Sequence, residues 1–255
     1  MRIIRNTLLF ALFIGFFLSS CKKDQVLTEG DVTLSTDSVL FDTVFTTVGS
    51  TTKIFKIFNN NSQPINISKI ALATGSISQF RINVDGVSNF AFSDVEIMAG
   101  DSLFVFVQVT VDPTGVNSPM LIRDSIIFET NGNIQDVNLI AIGQDVYLHK
   151  PNLPVGNPFY SIITCNDVWT SDKPHLIFGY AVVDSNCTLT MDQGTRVHLV
   201  NRGVLWVYRD GTLIVDGFKN NEVTFQGARL EPEYKELPGQ WGKIWLSSLS
   251  KNNVI

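Results

Sequence analysis

From Leu103 to Val111 every second residue is aliphatic. Leu103, Val105, Val107, Val109 and Val111 fall on one face, and Phe104, Phe106, Gln108 and Thr110 fall on the other. A strict period of two is the mark of a strand with one face in a core. The same texture runs in short pieces through residues 31–147. Val39–Phe41 leads into Thr43–Thr46. Lys53–Phe58 follows, then Ile65, Ile67 and Ile70, then Phe80, Ile82 and Val84, then Val95 and Ile97. Ile126–Phe128 and Val137–Ile142 close the series. Turn residues separate the pieces: Gly49-Ser50, the Asn-Asn-Asn-Ser loop at 59–62, Ala99-Gly100-Asp101, and Asn131-Gly132, the strongest hairpin signal in the chain. No long stretch of helical period appears beyond residue 21. The pattern predicts an all-β chain whose first domain, 31–147, has about seven short strands spaced as in a β-sandwich.

The texture then changes. Residues 148–160 carry Lys150-Pro151 and Leu153-Pro154, a stiff linker, because proline fixes φ and keeps the preceding residue extended. Beyond it, Leu189-Thr190-Met191 is followed by Gly194-Thr195-Arg196-Val197, and Leu205-Trp206-Val207 by Gly211-Thr212-Leu213-Ile214. The two Gly-Thr pairs stand 17 positions apart, at 194 and 211. Val223–Gly227 and Trp241–Leu246 read as further turns of the same pattern. Self-similarity at roughly 20 residues predicts a solenoid over 161–255, in which only neighbouring rungs can cover a rung's apolar face. About three rungs are expected. The sequence stops at 250–255 in what reads as mid-rung, which suggests a fragment or early-terminated copy of a longer protein. The alternative is a natural short form whose edge a partner covers.

Residues 1–20 hold Arg2, Arg5 and the apolar run Leu8–Leu18, closed by Leu18-Ser19-Ser20-Cys21. A basic head, a short apolar run and small residues at the cut describe a secretory signal. The run is too short to span a bilayer, which takes about 20 residues. Leu-Ser-Ser-Cys resembles the lipobox of bacterial lipoproteins. That resemblance implies cleavage before Cys21, diacylation of its thiol, acylation of the new amine, and a lipid bilayer as partner. The rival is an ordinary cleaved signal with an incidental cysteine. Residues 21–30 read as a polar tether. Lys22-Lys23-Asp24 loosely resembles the surface-export signal of Bacteroidota lipoproteins, so an outer-membrane location is expected with the periplasmic face and the cell surface both open.

Further resemblances concern the two domains. Thr47-Val48-Gly49, Phe58-Asn59-Asn60, Ala99-Gly100-Asp101-Ser102 and Ala141-Ile142-Gly143 stand where the immunoglobulin-like family of abnormal-spindle/Hydin-like and pilus-chaperone-like folds has them. This implies a spacer or binding module without chemistry. Leu189–Val197, Leu205–Gly217 and Pro238-Gly239-Gln240-Trp241-Gly242 resemble the right-handed parallel β-helix family, whose superfamily includes the pectate lyases. In the related enzymes the acting residues usually sit on middle rungs, which here would lie past residue 255. Asp37-Ser38-Val39, Asp42-Thr43-Val44, Asp101-Ser102-Leu103 and Asp124-Ser125-Ile126 resemble the O-glycosylation sequon of Bacteroidota.

Charge and candidate chemistry narrow the function. The net charge is −5, and removing residues 1–20 with Arg2 and Arg5 takes it to −7. No basic run exists, which argues against nucleic acid, since phosphate contacts need clustered Lys and Arg. With Cys21 claimed by lipid, Cys165 and Cys187 remain; in an exported chain they read as a disulfide, with two free buried thiols as the alternative. His149, His175 and His198 have no zinc-ligand spacing, and His198, between Val197 and Leu199, reads as an outward strand residue. Glu231, Glu233 and Glu236 sit with Arg229 and Lys235 in a charged loop that reads as solvated. No nucleophile elbow, phosphate loop or dinucleotide fingerprint occurs. No catalytic residue, metal or cofactor is therefore expected. Trp206 and Tyr208 share one face of a strand opposite Leu205 and Val207 and, with Trp241, are the candidate ligand-binding residues. Packing on the linker or the first domain is the plain alternative. The expected function is a membrane-anchored envelope lipoprotein serving as a surface binding or scaffold module, with a glycan or envelope protein as partner. Its rivals are a polysaccharide lyase or glycoside hydrolase with its site beyond residue 255, and a purely structural envelope protein.

Overall fold

The computed structural model describes residues 25–115, 119–152, 159–234 and 236–255. Cys21, the signal segment, Lys22–Asp24 and Leu153-Pro154 lie outside the described residues. The chain is all-β, in several sheets, and no α-helix occurs among the described residues. None of these residues forms a helix long and apolar enough to cross a membrane.

Ten strands come first: β1 Thr33–Leu34, β2 Ser38–Phe45, β3 Lys53–Phe58, β4 Ile65–Leu72, β5 Phe80–Val84, β6 Val87–Asn89, β7 Ala91–Ile97, β8 Ser102–Val109, β9 Met120–Thr130 and β10 Asn133–Gln144. They form two five-stranded sheets, ordered β1-β3-β8-β5-β6 and β2-β10-β9-β4-β7. Neighbours are antiparallel except β2 and β10, which run parallel. Period-two patterning explains the core. Val105, Val107, Val109 and Val111 are fully buried while Phe104 is exposed. Across the core, Phe55 of β3 meets Phe128 of β9 edge-on, ring centres 6.2 Å apart. Asn131 and Gly132 both have positive φ, at 50° and 83°, the conformation a two-residue hairpin turn demands. Asn59 is buried, and its amide donates to the carbonyls of Gln63, Ile97 and Met98, so the polar loop after β3 is tied to the start of the next sheet.

Eleven shorter strands follow: β11 Tyr147–His149, β12 Tyr160–Ile162, β13 Asp167–Trp169, β14 His175–Ile177, β15 Tyr180–Val183, β16 Thr188–Met191, β17 Arg196–Leu199, β18 Val204–Val207, β19 Thr212–Val215, β20 Thr224–Gly227 and β21 Lys243–Leu246. They visit three parallel sheets in rotation, ordered β11-β14-β17-β20, β12-β15-β18-β21 and β13-β16-β19. In-register apolar pairs fill the space between the sheets: Ile177 beside Leu199, Ala181 beside Leu205, Leu189 beside Leu213.

The repeat differs from the Gly-Thr spacing of 17. Gly194-Thr195 precedes β17 and Gly211-Thr212 opens β19, so the pairs belong to different sheets. The in-register partner of Thr212 is Thr188, 24 positions earlier. The glycines mark corners of the coil, and corners recur more often than rungs.

Cys165 and Cys187 form a disulfide, Cα atoms 4.8 Å apart, tying the turn before β13 to the turn before β16. The free-thiol alternative is thereby removed. The Pro-Gly-Gln-Trp-Gly run has a steric basis. A Cβ on Gly242 would lie 2.5 Å from the Gly203 carbonyl oxygen, to which the Gly242 N–H donates at 3.1 Å. Only glycine lets β21 close on the corner before β18.

Candidate functional site

Three arrangements bring chemistry-bearing side chains together. The first lies on the outward face of the β12-β15-β18-β21 sheet. Leu205 and Val207 point into the coil and are fully buried, which turns Trp206 outward. Parallel register places Trp206 beside Trp245, and the two rings stack 4.7 Å apart at 7°. Tyr208 and Tyr180 meet Trp206 edge-on at 5.3 and 6.2 Å. The Trp206 indole N–H donates to Ser247 Oγ at 2.9 Å. Lys243 Nζ sits 4.5 Å from the centre of the Trp245 ring. Trp206 thus spends a ring face and its N–H inside the ladder, and Tyr208 and Trp245 are its exposed members. Trp241 does not join it; its ring packs against the apolar interior of the coil. The repeat does not pair Trp245 with Trp206, because the step from β18 to β21 is 39 residues, against 24 from β15 to β18.

The extra length is the excursion 228–242, and it builds the second arrangement. Arg229 clasps Glu231 through Nε, 3.1 Å from both carboxylate oxygens, and Nη2, 2.9 Å from Oε1. Thr51, in the connection between β2 and β3, donates its hydroxyl to Glu231 Oε1 at 3.2 Å. Arg229 also lies over the Tyr234 ring at 3.8 Å. The expected solvated loop is therefore corrected at one residue: Glu231 is only 8% exposed, because the excursion folds back onto the first sheets. Burial pushes its carboxyl up, but the Arg229 and Thr51 hydrogen bonds outweigh that and hold it below the usual carboxylate value. Glu233 and Glu236 remain exposed, and Lys235 lies outside the described residues. Between the excursion and β2–β3 runs a cleft of about 370 Å³, lined from both sides by Asp42, Lys53, Leu176, Arg229, Glu231 and Gln240 among others.

The third arrangement is the histidines, all in the second set of strands. His198 does turn out of its own coil, as its alternation predicts, but it is buried, because Phe45 of β2 covers it with ring centres 4.8 Å apart. Its Nδ1 lies 3.3 Å from the Gly227 carbonyl oxygen. His149, Trp169 and His175 stack at the first end of the coil, with Trp169 4.4 Å from His149 and 4.1 Å from His175. His149 Nε2 and His175 Nδ1 are 3.1 Å apart, while the buried His175 Nε2 has no partner among the described residues. Desolvation lowers His149 to about 4, His175 to about 3 and His198 to about 4. The rings are neutral at ordinary pH and act as packing. Among the described residues no group of three or more His, Cys, Asp or Glu is placed to hold a metal ion.

No family model matches the chain, and no curated protein does. Solved structures are similar in part. A family 123 glycoside hydrolase from Clostridium perfringens, described for glycolipid glycan hydrolysis, aligns with a TM-score of 0.32 and 8% identity over 48% of this chain and 30% of that one. A Porphyromonas gingivalis W83 protein of unknown function aligns at 0.31 and 16% over 44% and 46%. The E. coli chaperone DraB aligns at 0.29 and 10% over 44% and 54%. The chain thus spans between about a third and a half of the length of these proteins.

Proposed function

We propose that the chain is an envelope lipoprotein. An immunoglobulin-like sandwich, residues 31–147, acts as the stalk, and the first rungs of a right-handed parallel β-helix, residues 161–255, act as the platform. Acylated Cys21 holds it to the outer membrane, since two or more acyl chains anchor stably where one does not. The molecule works as a non-catalytic binding or scaffold module for a glycan or another envelope component. The observation that carries this reading is the seam between the two sets of sheets. Phe45 covers His198, and Thr51 reaches Glu231, so the platform is seated on the stalk through buried and half-buried contacts with a cleft of mixed polarity beside them. Ligand sites favour such junctions.

Two measurements test it. Metabolic labelling with a fatty-acid probe should mark the full-length chain and leave Cys21→Ala unlabelled and out of the membrane fraction; an unlabelled parent would remove the anchor. The intact protein on an array of envelope-derived glycans should give saturable binding, and a blank array beside active controls would remove the module reading.

A further inference from the structure

Resting on that reading of a binding module, we infer that the cleft between β2–β3 and the 228–242 excursion is its ligand site, and that it takes a short neutral saccharide of one or two sugar units. About 370 Å³ is within the range of small-ligand sites, roughly 300–1,000 Å³. The walls hold hydrogen-bonding capacity that the protein leaves unused. Asp42, Lys53 and Gln240 each line the cleft, and none makes a side-chain hydrogen bond or ion pair with another described residue. Arg229 is held by Glu231 through Nε and Nη2 and by Tyr234, so its place in the wall is fixed. Water satisfies such groups in an empty cleft, and a ligand that displaces it must replace both donors and acceptors.

The charges select the ligand class. Lys53 and Arg229 are matched by Asp42 and Glu231, so the cleft has no net formal charge to favour a phosphate or a free cation. Donors and acceptors stand together, and the group that answers both is the hydroxyl. Part of the lining is apolar, with Val48, Val200 and Leu230 partly exposed, which suits the C–H face of a sugar ring. Glu231 is a positioning residue in this scheme. Its ion pair fixes the guanidinium plane, and its bond from Thr51 ties that plane to the opposite wall.

Titration calorimetry on the full-length protein in detergent, with maltose, cellobiose, mannobiose and di-N-acetylchitobiose as probes, tests the inference. At least one disaccharide should bind saturably. Lys53→Ala and Gln240→Ala should each weaken it about five- to tenfold, the loss of one hydrogen bond, with the thermal midpoint unchanged because both side chains are partly exposed. Binding that survives both substitutions but disappears in Trp245→Ala would overturn the cleft and leave the module reading standing, with the ladder as its site. No binding of any disaccharide would overturn the cleft, and the glycan array then decides the module reading separately.

Discussion

Between Phe55 and Phe128 two sheets of long strands meet face to face, whereas between Leu189 and Leu213 a strand of four residues rests on the next copy of itself. Both interiors are apolar, yet they are specified differently. In the first region β9 and β10 run for 11 and 12 residues and pair through an Asn-Gly turn. Long alternation fixes register, since a slip of one residue would turn a whole face of valines and isoleucines to water. In the second region strands of three or four residues cannot fix register alone. Corners, the disulfide and stacking of like on like do it instead. The lesson is that short strands need covalent or steric pins where long strands need only pattern.

That contrast predicts where each region breaks. Phe128→Ala removes a fully buried ring from the first core and should cost roughly 3–5 kcal/mol. In chemical denaturation far-UV circular dichroism should show the first region melting while tryptophan fluorescence stays native, since all four tryptophans lie in the coil. A single concerted loss of both would show that the regions do not unfold separately. Cys165→Ser with Cys187→Ser opens a loop spanning 22 positions and should cost the coil about 3 kcal/mol, with the transition of the first region unmoved.

Acid should act on the coil as well, because it holds every histidine of the chain. The folded imidazoles titrate at about 3 to 4, against an ordinary value near 6.5. As pH falls below 6.5 the unfolded chain takes up protons that the folded chain refuses. Stability is therefore lost from about pH 6.5 down to about 4, at up to roughly 1.4 kcal/mol per pH unit for each buried imidazole. Thermal midpoints at pH 7 and pH 5 measure it, and His175→Phe, which keeps a ring in the Trp169 stack, should reduce the drop. An unchanged midpoint would show that the rings are hydrated. The smallest effect belongs to the seam. Glu231→Gln keeps the shape, and with Arg229 substantially exposed the loss should be about 1 kcal/mol or less. Its readout is faster amide exchange around Thr51 and Arg229 with the cores unaffected.

Much of this was legible beforehand. The valine column of β8, the Asn-Gly hairpin, the availability of two cysteines to pair and the shared face of Trp206 and Tyr208 each follow from local rules of period and turn chemistry. What stayed hidden has a common cause. The parallel pairing of β2 with β10 joins residues a hundred positions apart, such as Ser38 with Asn138. Trp245 joins Trp206 across an excursion that breaks the repeat. Glu231 reads as one charge among several until the fold carries it against Thr51.

Local patterning is enough to specify an all-β chain with two textures, the faces of its strands and two cysteines available to pair, because side-chain alternation and turn conformations are set within a few residues. Which strands are neighbours, which tryptophans stack, and the burial of a glutamate and a histidine at a seam are settled by the folded chain as a whole. Those outcomes depend on contacts between distant segments, and the free energy of such contacts is written in no single stretch of the chain.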